Sequence, residues 1–327
     1  MLAYEDIRHI ELELSSHCNA SCPLCPRNLF GYPFNAGFPV RHLTLIDIKT
    51  IIPEDLINQI SFFTFEGNFG DPLMNPEALA IIKYLNKPIH IATNGSLQTE
   101  EFWKELATYP VKVFFGIDGL AGVHEIYRIG TKFERVIQNA KTFIDAGGQA
   151  VWKMILFDHN KHQIKECEKL SQDLGFADFN LVDHGRNNGP VFDKGGNTIN
   201  IIGTFSGSTE LSHYKDIINN GDMFIEDIDD HPKNNVACQS LLNSSIYITS
   251  NGEVYPCCFM GFSPKTYGKG RWHQPVNKQI TNLLNENNAL EKPLKECIEW
   301  FSKIPVCWNK KTFEDGRLIV CDSACGK

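Results

Sequence analysis

The sequence predicts an α/β protein built on a parallel sheet, with a small cysteine-rich domain at the C-terminal end. Three observations predict it. Short apolar runs alternate with helical patterns six times over residues 7–182, which calls for parallel strands joined by right-handed crossovers. Turn-forming and ligand-type residues collect just after those strands, where such sheets gather their ligands. The cysteines fall mainly into two groups, one after the first strand and one beyond residue 236.

Taken in order, residues 7–14 (IRHIELEL) form the first strand and run straight into residues 15–28 (SSHCNASCPLCPRN). That loop carries Cys18, Cys22 and Cys25 with the spacing Cys-x3-Cys-x2-Cys. Three thiolates so spaced can hold one face of a compact metal site and leave one coordination position open, as in a three-cysteine 4Fe–4S site. His17 is the only nearby fourth ligand, and its place beside Cys18 suits it poorly to closing a tetrahedron. Residues 29–39 (LFGYPFNAGFP) are a Gly/Pro-rich loop, read either as a surface loop or as a flap near the site. Thr44 and Asp47 form a capping box before a helix.

Residues 60–66 are the second strand, ending in the turn Gly67-Asn68-Phe69-Gly70-Asp71-Pro72. Asn75 caps a helix over 76–86. The third strand, 89–92, ends in Thr93-Asn94-Gly95, a tight-turn sequence. Thr99 caps a helix reaching about residue 107, and the fourth strand, 111–117, ends in Asp118-Gly119. A helix over 133–146, a strand over 150–157, a helix over 160–174 and a strand over 177–182 complete the six. Cys167 stands alone in the last helix and reads as structural. Residues 184–200 and 223–235 read as linker and loops. Their Asp229, Asp230 and His231 are a candidate metal group, set against the commoner solvated acidic loop.

In the tail, strand-like runs flank Asn251-Gly252, a hairpin signal that brings Cys257 back toward Cys238. Cys321 and Cys325 lie near the end. Together these four thiols are enough for one 4Fe–4S cluster, and equally for a four-cysteine zinc site.

Composition narrows the function. The chain has 327 residues, a formal net charge of −8 and no Lys/Arg block, so nucleic-acid phosphate is not an expected partner. No signal-peptide pattern and no run approaching a membrane span are visible, which leads to the expectation of a cytoplasmic protein with no membrane partner. Eleven cysteines in such a chain point to metal ligation rather than a disulfide framework.

Cys-x3-Cys-x2-Cys after a first strand resembles the signature of the radical S-adenosylmethionine (radical SAM) superfamily. The resemblance implies an open (β/α)6 partial TIM-like barrel. It implies a 4Fe–4S cluster on Cys18, Cys22 and Cys25, whose open iron is chelated by SAM. It further implies reductive cleavage of SAM to a 5′-deoxyadenosyl radical that abstracts a hydrogen atom from substrate. Phe69-Gly70-Asp71-Pro72 resembles the family's Gly-Gly-Glu-Pro turn, with Asp71 in place of Glu, and implies that Gly70 and Asp71 bind the SAM amino group. Thr93 and Asn94 match a Thr-Asn-Gly turn beside SAM, and Arg128 matches a partner for its carboxylate. Two departures are visible. Leu24 replaces the frequent aromatic residue before the third cysteine. Gly116-Ile117-Asp118-Gly119 lacks the serine of the family's Ser-x-Asp-Gly.

The pattern Cys238-x13-Gly252-x4-Cys257, closed by Cys321-x3-Cys325, resembles a SPASM/twitch auxiliary-cluster domain. The central Cys-x2-Cys-x5-Cys is missing, which favours one auxiliary 4Fe–4S cluster and leaves Cys258, Cys297 and Cys307 unassigned. The expected domains are a core over 1–185, a linker over 186–235 and the auxiliary domain over 236–327. The expected function is hydrogen-atom abstraction that modifies a peptide or protein side chain, with an external flavodoxin- or ferredoxin-like electron donor. The alternatives are a dehydrogenase acting on a small-molecule alcohol or sugar, and a non-catalytic zinc or iron–sulfur regulatory module.

Overall fold

The computed structural model describes residues 2–25, 27–29, 32–33, 40–183, 189–192, 197–202, 235–261, 274–284 and 286–327. Most of the loop at 29–39, most of the expected linker and the Asp229-Asp230-His231 group lie outside these residues.

By contacts the chain forms two compact units, each assembled from separate stretches of sequence. The first comprises residues 1–12, 43–63 and 216–327, and the second residues 13–42 and 64–215. All six predicted strands form: β1 (His9–Leu12), β2 (Phe62–Phe65), β3 (Ile89–Thr93), β4 (Val111–Gly116), β5 (Gln149–Ile155) and β6 (Asp178–Val182). The tail hairpin supplies β7 (Ser245–Ile248) and β8 (Val254–Tyr255).

In the first unit the strand order is β8-β7-β1-β2. The hairpin forms antiparallel as its Asn-Gly turn predicts, with Tyr247 opposite Tyr255 and Gly252 at φ +83°, a conformation that favours glycine. It also does something no local signal announces. Strand β7 pairs in parallel with β1, Ile10 opposite Ile246 and Leu12 opposite Ile248. Every residue of β7 is buried.

The second unit continues from the C-terminal half of β2 in the order β2-β3-β4-β5-β6. Pairing from β3 to β6 is parallel throughout, and among the described residues no strand closes the sheet beyond β6. Between the strands lie α-helices at Ala78–Leu85, Glu100–Leu106, Phe133–Asp145 and Ile164–Asp173. Thr99 caps its helix by accepting from Phe102 N. The helix over Phe133–Asp145 keeps Val136, Ala140 and Phe143 buried, one face at helical spacing.

The alternation along the strands defines the two faces of this sheet. Ile91, Val113 and Phe115 are fully buried, and Phe115 packs on Trp103 and Phe143 of the flanking helices. The opposite face carries Thr64, His90, Lys112, Phe114 and Lys153, all only half-buried. A period of two puts these residues together on one side. The helices thus cover one face and leave the other polar.

Candidate functional site: two cysteine groups

The three-cysteine loop belongs to the second unit and is held by backbone contacts. Ser16 N donates to Arg41 O at 3.0 Å, Ser21 N to Ile129 O at 2.8 Å, and Cys25 N to Cys22 O at 3.1 Å. Ala20 and Cys22 are buried in an apolar cluster with Tyr127, Ile155 and Phe157, and Cys18 and Cys25 pack against its edge. Burial pushes the Cys22 thiol up to about 12, against the pull of Arg128. Cys18 is raised further, by burial first and then by Asp71 and the other two cysteines. Without a metal group these thiols stay protonated, so holding one there would release their protons.

The turn after β2 lies directly against this loop. Asp71 N donates to His17 O at 2.7 Å. A Cβ built on Gly70 would lie 2.1 Å from Ser15 O and 2.7 Å from His17 O. The glycine expected to let a ligand approach is therefore needed first for the chain's own backbone to pack. Glu13, fully buried, accepts from Asn68 N at 3.0 Å and Phe69 N at 3.3 Å and so fixes the same turn. Sequence reading missed Glu13. The available signal was a carboxylate at an otherwise apolar strand end.

Asp71 is 4 % exposed and already engaged by the protein. It accepts from Leu73 N (3.0 Å), Thr93 Oγ1 (2.9 Å) and Asn94 N (2.8 Å). Burial raises its pKa and these donors oppose the rise. Three donors on a carboxylate with about four acceptor positions leave one position for a further donor. Asn94 closes the ring, with Nδ2 at 3.8 Å from Cys18 Sγ and 3.0 Å from Asn19 Oδ1. Gly70, Asp71, Thr93, Asn94 and the cysteine loop are thus one connected set.

Arg128 reaches the set through Cys22. Its Nε donates to Asp118 Oδ2 at 2.5 Å, and Asp118 Oδ1 also accepts from Ile155 N. Burial works against the guanidinium charge, but Asp118 and Cys22 more than offset it and hold its pKa above the usual value. A Cβ on Gly116 would fall 2.6 Å from Arg128 Nη2. The missing serine thus has a physical reason: the guanidinium occupies its space. His124 accepts from Asp118 N through Nδ1 (3.2 Å), so Nε2 carries the proton and faces Thr131 Oγ1 at 2.9 Å. Thr131 in turn donates to Arg128 O at 2.8 Å. Burial lowers the His124 pKa to about 4, which keeps the ring neutral.

The second cysteine group lies in the first unit. Residues 235–237 run antiparallel to the chain end, with Ala237 N donating to Cys325 O at 2.9 Å, and this brings Cys238 beside Cys325. The helix Ile319–Cys325 places Cys321 and Cys325 four residues apart on one face, and the hairpin delivers Cys257. All four expected cysteines line one cavity, which Cys258 and Trp308 share. The Cys257 pKa is raised by burial and by Cys321, and that of Cys321 is raised to about 12 by burial with Cys238 and Cys325 adding. Cys167 and Cys297, both fully buried, line no part of this cavity.

Among the described residues, no three ligand-type side chains are gathered closely enough to grip a single metal ion. A zinc ion bonded at about 2.3 Å would draw its sulfurs to within about 4 Å of one another.

Two family models match the chain: the radical SAM superfamily over residues 12–170 and the iron–sulfur cluster-binding SPASM domain over residues 238–309. The chain belongs to the radical SAM superfamily. The tungsten-containing aldehyde ferredoxin oxidoreductase cofactor-modifying protein of Pyrococcus furiosus is 23% identical over 307 residues, covering 90% of this chain and 83% of its own. Among solved structures, Streptococcus suis SuiB bound to S-adenosylmethionine superposes with a TM-score of 0.59 at 17% identity, over 98% of this chain and 73% of SuiB. Native anSMEcpe with bound AdoMet and Cp18Cys peptide gives 0.52 at 17% identity, over 97% of this chain and 88% of that one. These likenesses bear out the α/β partial-barrel fold. As a radical SAM enzyme with a SPASM domain, the protein uses a 4Fe–4S cluster, SAM and auxiliary iron–sulfur. Among the described residues no helix is long and apolar enough to cross a membrane.

One further feature of this radical SAM enzyme escaped the sequence reading. Glu66 directly follows β2 on the polar face, and burial raises its pKa while the Lys153 ammonium opposes the rise. Lys153 lies opposite Gly116 in register, next to the Arg128 corner. Alternation along β2 and β5 was the available signal, but it does not say which face is left open.

Proposed function

We propose that this radical SAM enzyme abstracts a hydrogen atom from a peptide or protein substrate. The observation that carries the reading is a three-cysteine core joined to a SPASM tail along nearly the whole chain. The same arrangement of fold is found in SuiB, solved bound to its precursor peptide SuiA, and in anSMEcpe, solved with a peptide. The core is taken as residues 1–185 and the auxiliary domain as 236–327.

In this reading Cys18, Cys22 and Cys25 hold the SAM-cleaving cluster. When bound, that cluster supplies the electron that splits SAM and so yields the 5′-deoxyadenosyl radical. The chain's own residues do the rest. Asp71 offers its remaining acceptor position to the SAM amino group, and Thr93 and Asn94 keep that carboxylate in place. Gly70 keeps the turn seated on the cysteine loop. Arg128, kept cationic by Asp118, faces the SAM carboxylate. Cys238, Cys257, Cys321 and Cys325 hold one auxiliary cluster. Glu66 and Lys153, opposite in charge and on the uncovered face, present an acceptor and a donor to the substrate, as a peptide amide requires. An external low-potential protein supplies electrons, and the thiol-rich chain works in the cytoplasm.

Similarity to the cofactor-modifying protein of Pyrococcus furiosus supports a second reading, in which the substrate is a small molecule. One experiment separates the two. The protein, reconstituted without oxygen, is given SAM and a low-potential reductant, and 5′-deoxyadenosine is measured with fractions of host-cell extract. Stimulation that Cys22→Ala abolishes and protease treatment of the fraction removes is the expected result. Stimulation that survives protease and passes a small-molecule filter refutes the peptide reading. Cleavage that persists in Cys22→Ala refutes the cluster assignment.

A further inference from the structure

We propose that Trp308 donates a hydrogen bond from its indole N–H to the Cys321 sulfur, and acts through Cys321 as a positioning residue that raises the reduction potential of the tail cluster. The inference rests on the reading of the tail cysteines as cluster ligands. Its first support is an unmet donor. Trp308 Nε1 is buried and has no hydrogen-bond partner of full geometry, although an indole N–H can only donate and a buried one usually finds an acceptor. Its second support is direction. Trp308 and Cys321 line the same cavity, and the indole N–H lies within interaction reach of the Cys321 sulfur. The N–H thus has a cysteine sulfur within reach but makes no full bond to it.

Its third support is that donor and acceptor are held by one network. Arg317 Nη1 donates to Trp308 O at 2.6 Å and to Lys310 O at 3.2 Å. The same guanidinium forms a buried ion pair with Asp322, with Nε at 2.8 Å and Nη2 at 2.6 Å from Oδ1. Asp322 directly follows Cys321 on the helix Ile319–Cys325. One arginine therefore ties the main chain of Trp308 to the side chain of the residue beside Cys321. Such a pair loses little freedom on closing a bond.

The chemistry follows from charge. A neutral thiol is a weak acceptor, whereas an iron-bound thiolate is a strong one, because bonds to charged groups are shorter and stronger. Adding one electron to the cluster puts more negative charge on its sulfurs. The indole N–H then stabilises the reduced state more than the oxidised one, and hydrogen bonds to sulfur are an established lever on cluster potential. No proton leaves the indole, and the single electron comes from the external reductant.

The test uses the full chain reconstituted without oxygen in a Cys22→Ala background, so that only the tail cluster reports. Iron is counted first. About four irons per chain establish the tail cluster independently of Trp308; none overturns both the cluster reading and this proposal. The midpoint potential is then measured by electron paramagnetic resonance during titration with a chemical reductant. Trp308→Phe is expected to lower the ratio of reduced to oxidised cluster about tenfold at a fixed potential, about 59 mV for a one-electron couple. It is also expected to remove a deuterium-exchangeable proton coupling. If Trp308→Phe assembles no cluster, benzothienylalanine at 308 keeps the ring shape and replaces N–H by sulfur, and should give the same shift. An unmoved midpoint with the coupling retained overturns the proposal while the cluster reading stands.

Discussion

Replacing Gly70 by alanine should dismantle the SAM-cleaving site without touching the tail. The added Cβ would sit 2.1 Å from Ser15 O, 2.7 Å from His17 O and 2.8 Å from Ser15 C. Ordinary contact begins at 3.4 Å, so the nearest oxygen must retreat by about 1.3 Å. Every clashing atom is backbone, so no side-chain rotation relieves it. Overpacking of this kind costs about 1–3 kcal/mol or more, and here it moves the segment that leads directly into Cys18. Displacing reacting groups by about 1 Å costs roughly a hundredfold in rate. Gly70→Ala should therefore drop reconstituted iron from about eight per chain to about four and cut 5′-deoxyadenosine formation at least a hundredfold. Gly122→Ala is the control. A Cβ there meets nothing within 4 Å, but the residue sits at φ +82°, so it costs about 1–2 kcal/mol of backbone strain and should leave iron unchanged. If Gly70→Ala keeps eight irons and the wild-type rate, the close packing of turn on cysteine loop is not what positions the site.

Two further outcomes follow. Gly116→Ser restores the serine of related motifs, but its Cβ meets the Arg128 guanidinium at 2.6 Å. Because Asp118 pins that guanidinium, the variant should lose about 1–3 kcal/mol of stability by denaturant titration and bind SAM less tightly by calorimetry; wild-type values in both would show that Arg128 moves freely. His124, with its pKa lowered from the ordinary histidine value of about 6.5 to about 4 by burial, stays neutral in the folded chain where the unfolded chain takes up a proton. Its contribution is therefore complete above about pH 6.5, falls as pH drops toward 4 and levels off below. The full loss is about 3 kcal/mol as an upper value. The difference in unfolding free energy between wild type and His124→Gln should narrow by roughly that amount across the window, and a constant difference would show that His124 does not titrate there.

Much of the fold was legible in the sequence because it is written in short-range spacing. Alternation at residues 111–117 marks a strand and the spacing of Phe133, Val136, Ala140 and Phe143 marks a helix, since each pattern reflects hydrogen bonds and burial within a few residues. The Asn251-Gly252 turn and the Cys18, Cys22 and Cys25 loop are local in the same sense. What the sequence left open concerns partners far apart in the chain. Nothing near residue 245 says that β7 will pair in parallel with β1, because parallel pairing is set by register and burial rather than by a turn. The Gly70 motif was legible, but its packing against Ser15 and His17 was not. Nor was the engagement of Asp71 by Thr93 and Asn94, residues 22 and 23 positions away. The residues proposed for the site could be picked out by type and spacing. Which of them face each other, and which face of the sheet is left open to a substrate, depended on how the strands and loops pack, and only the tertiary structure decided that.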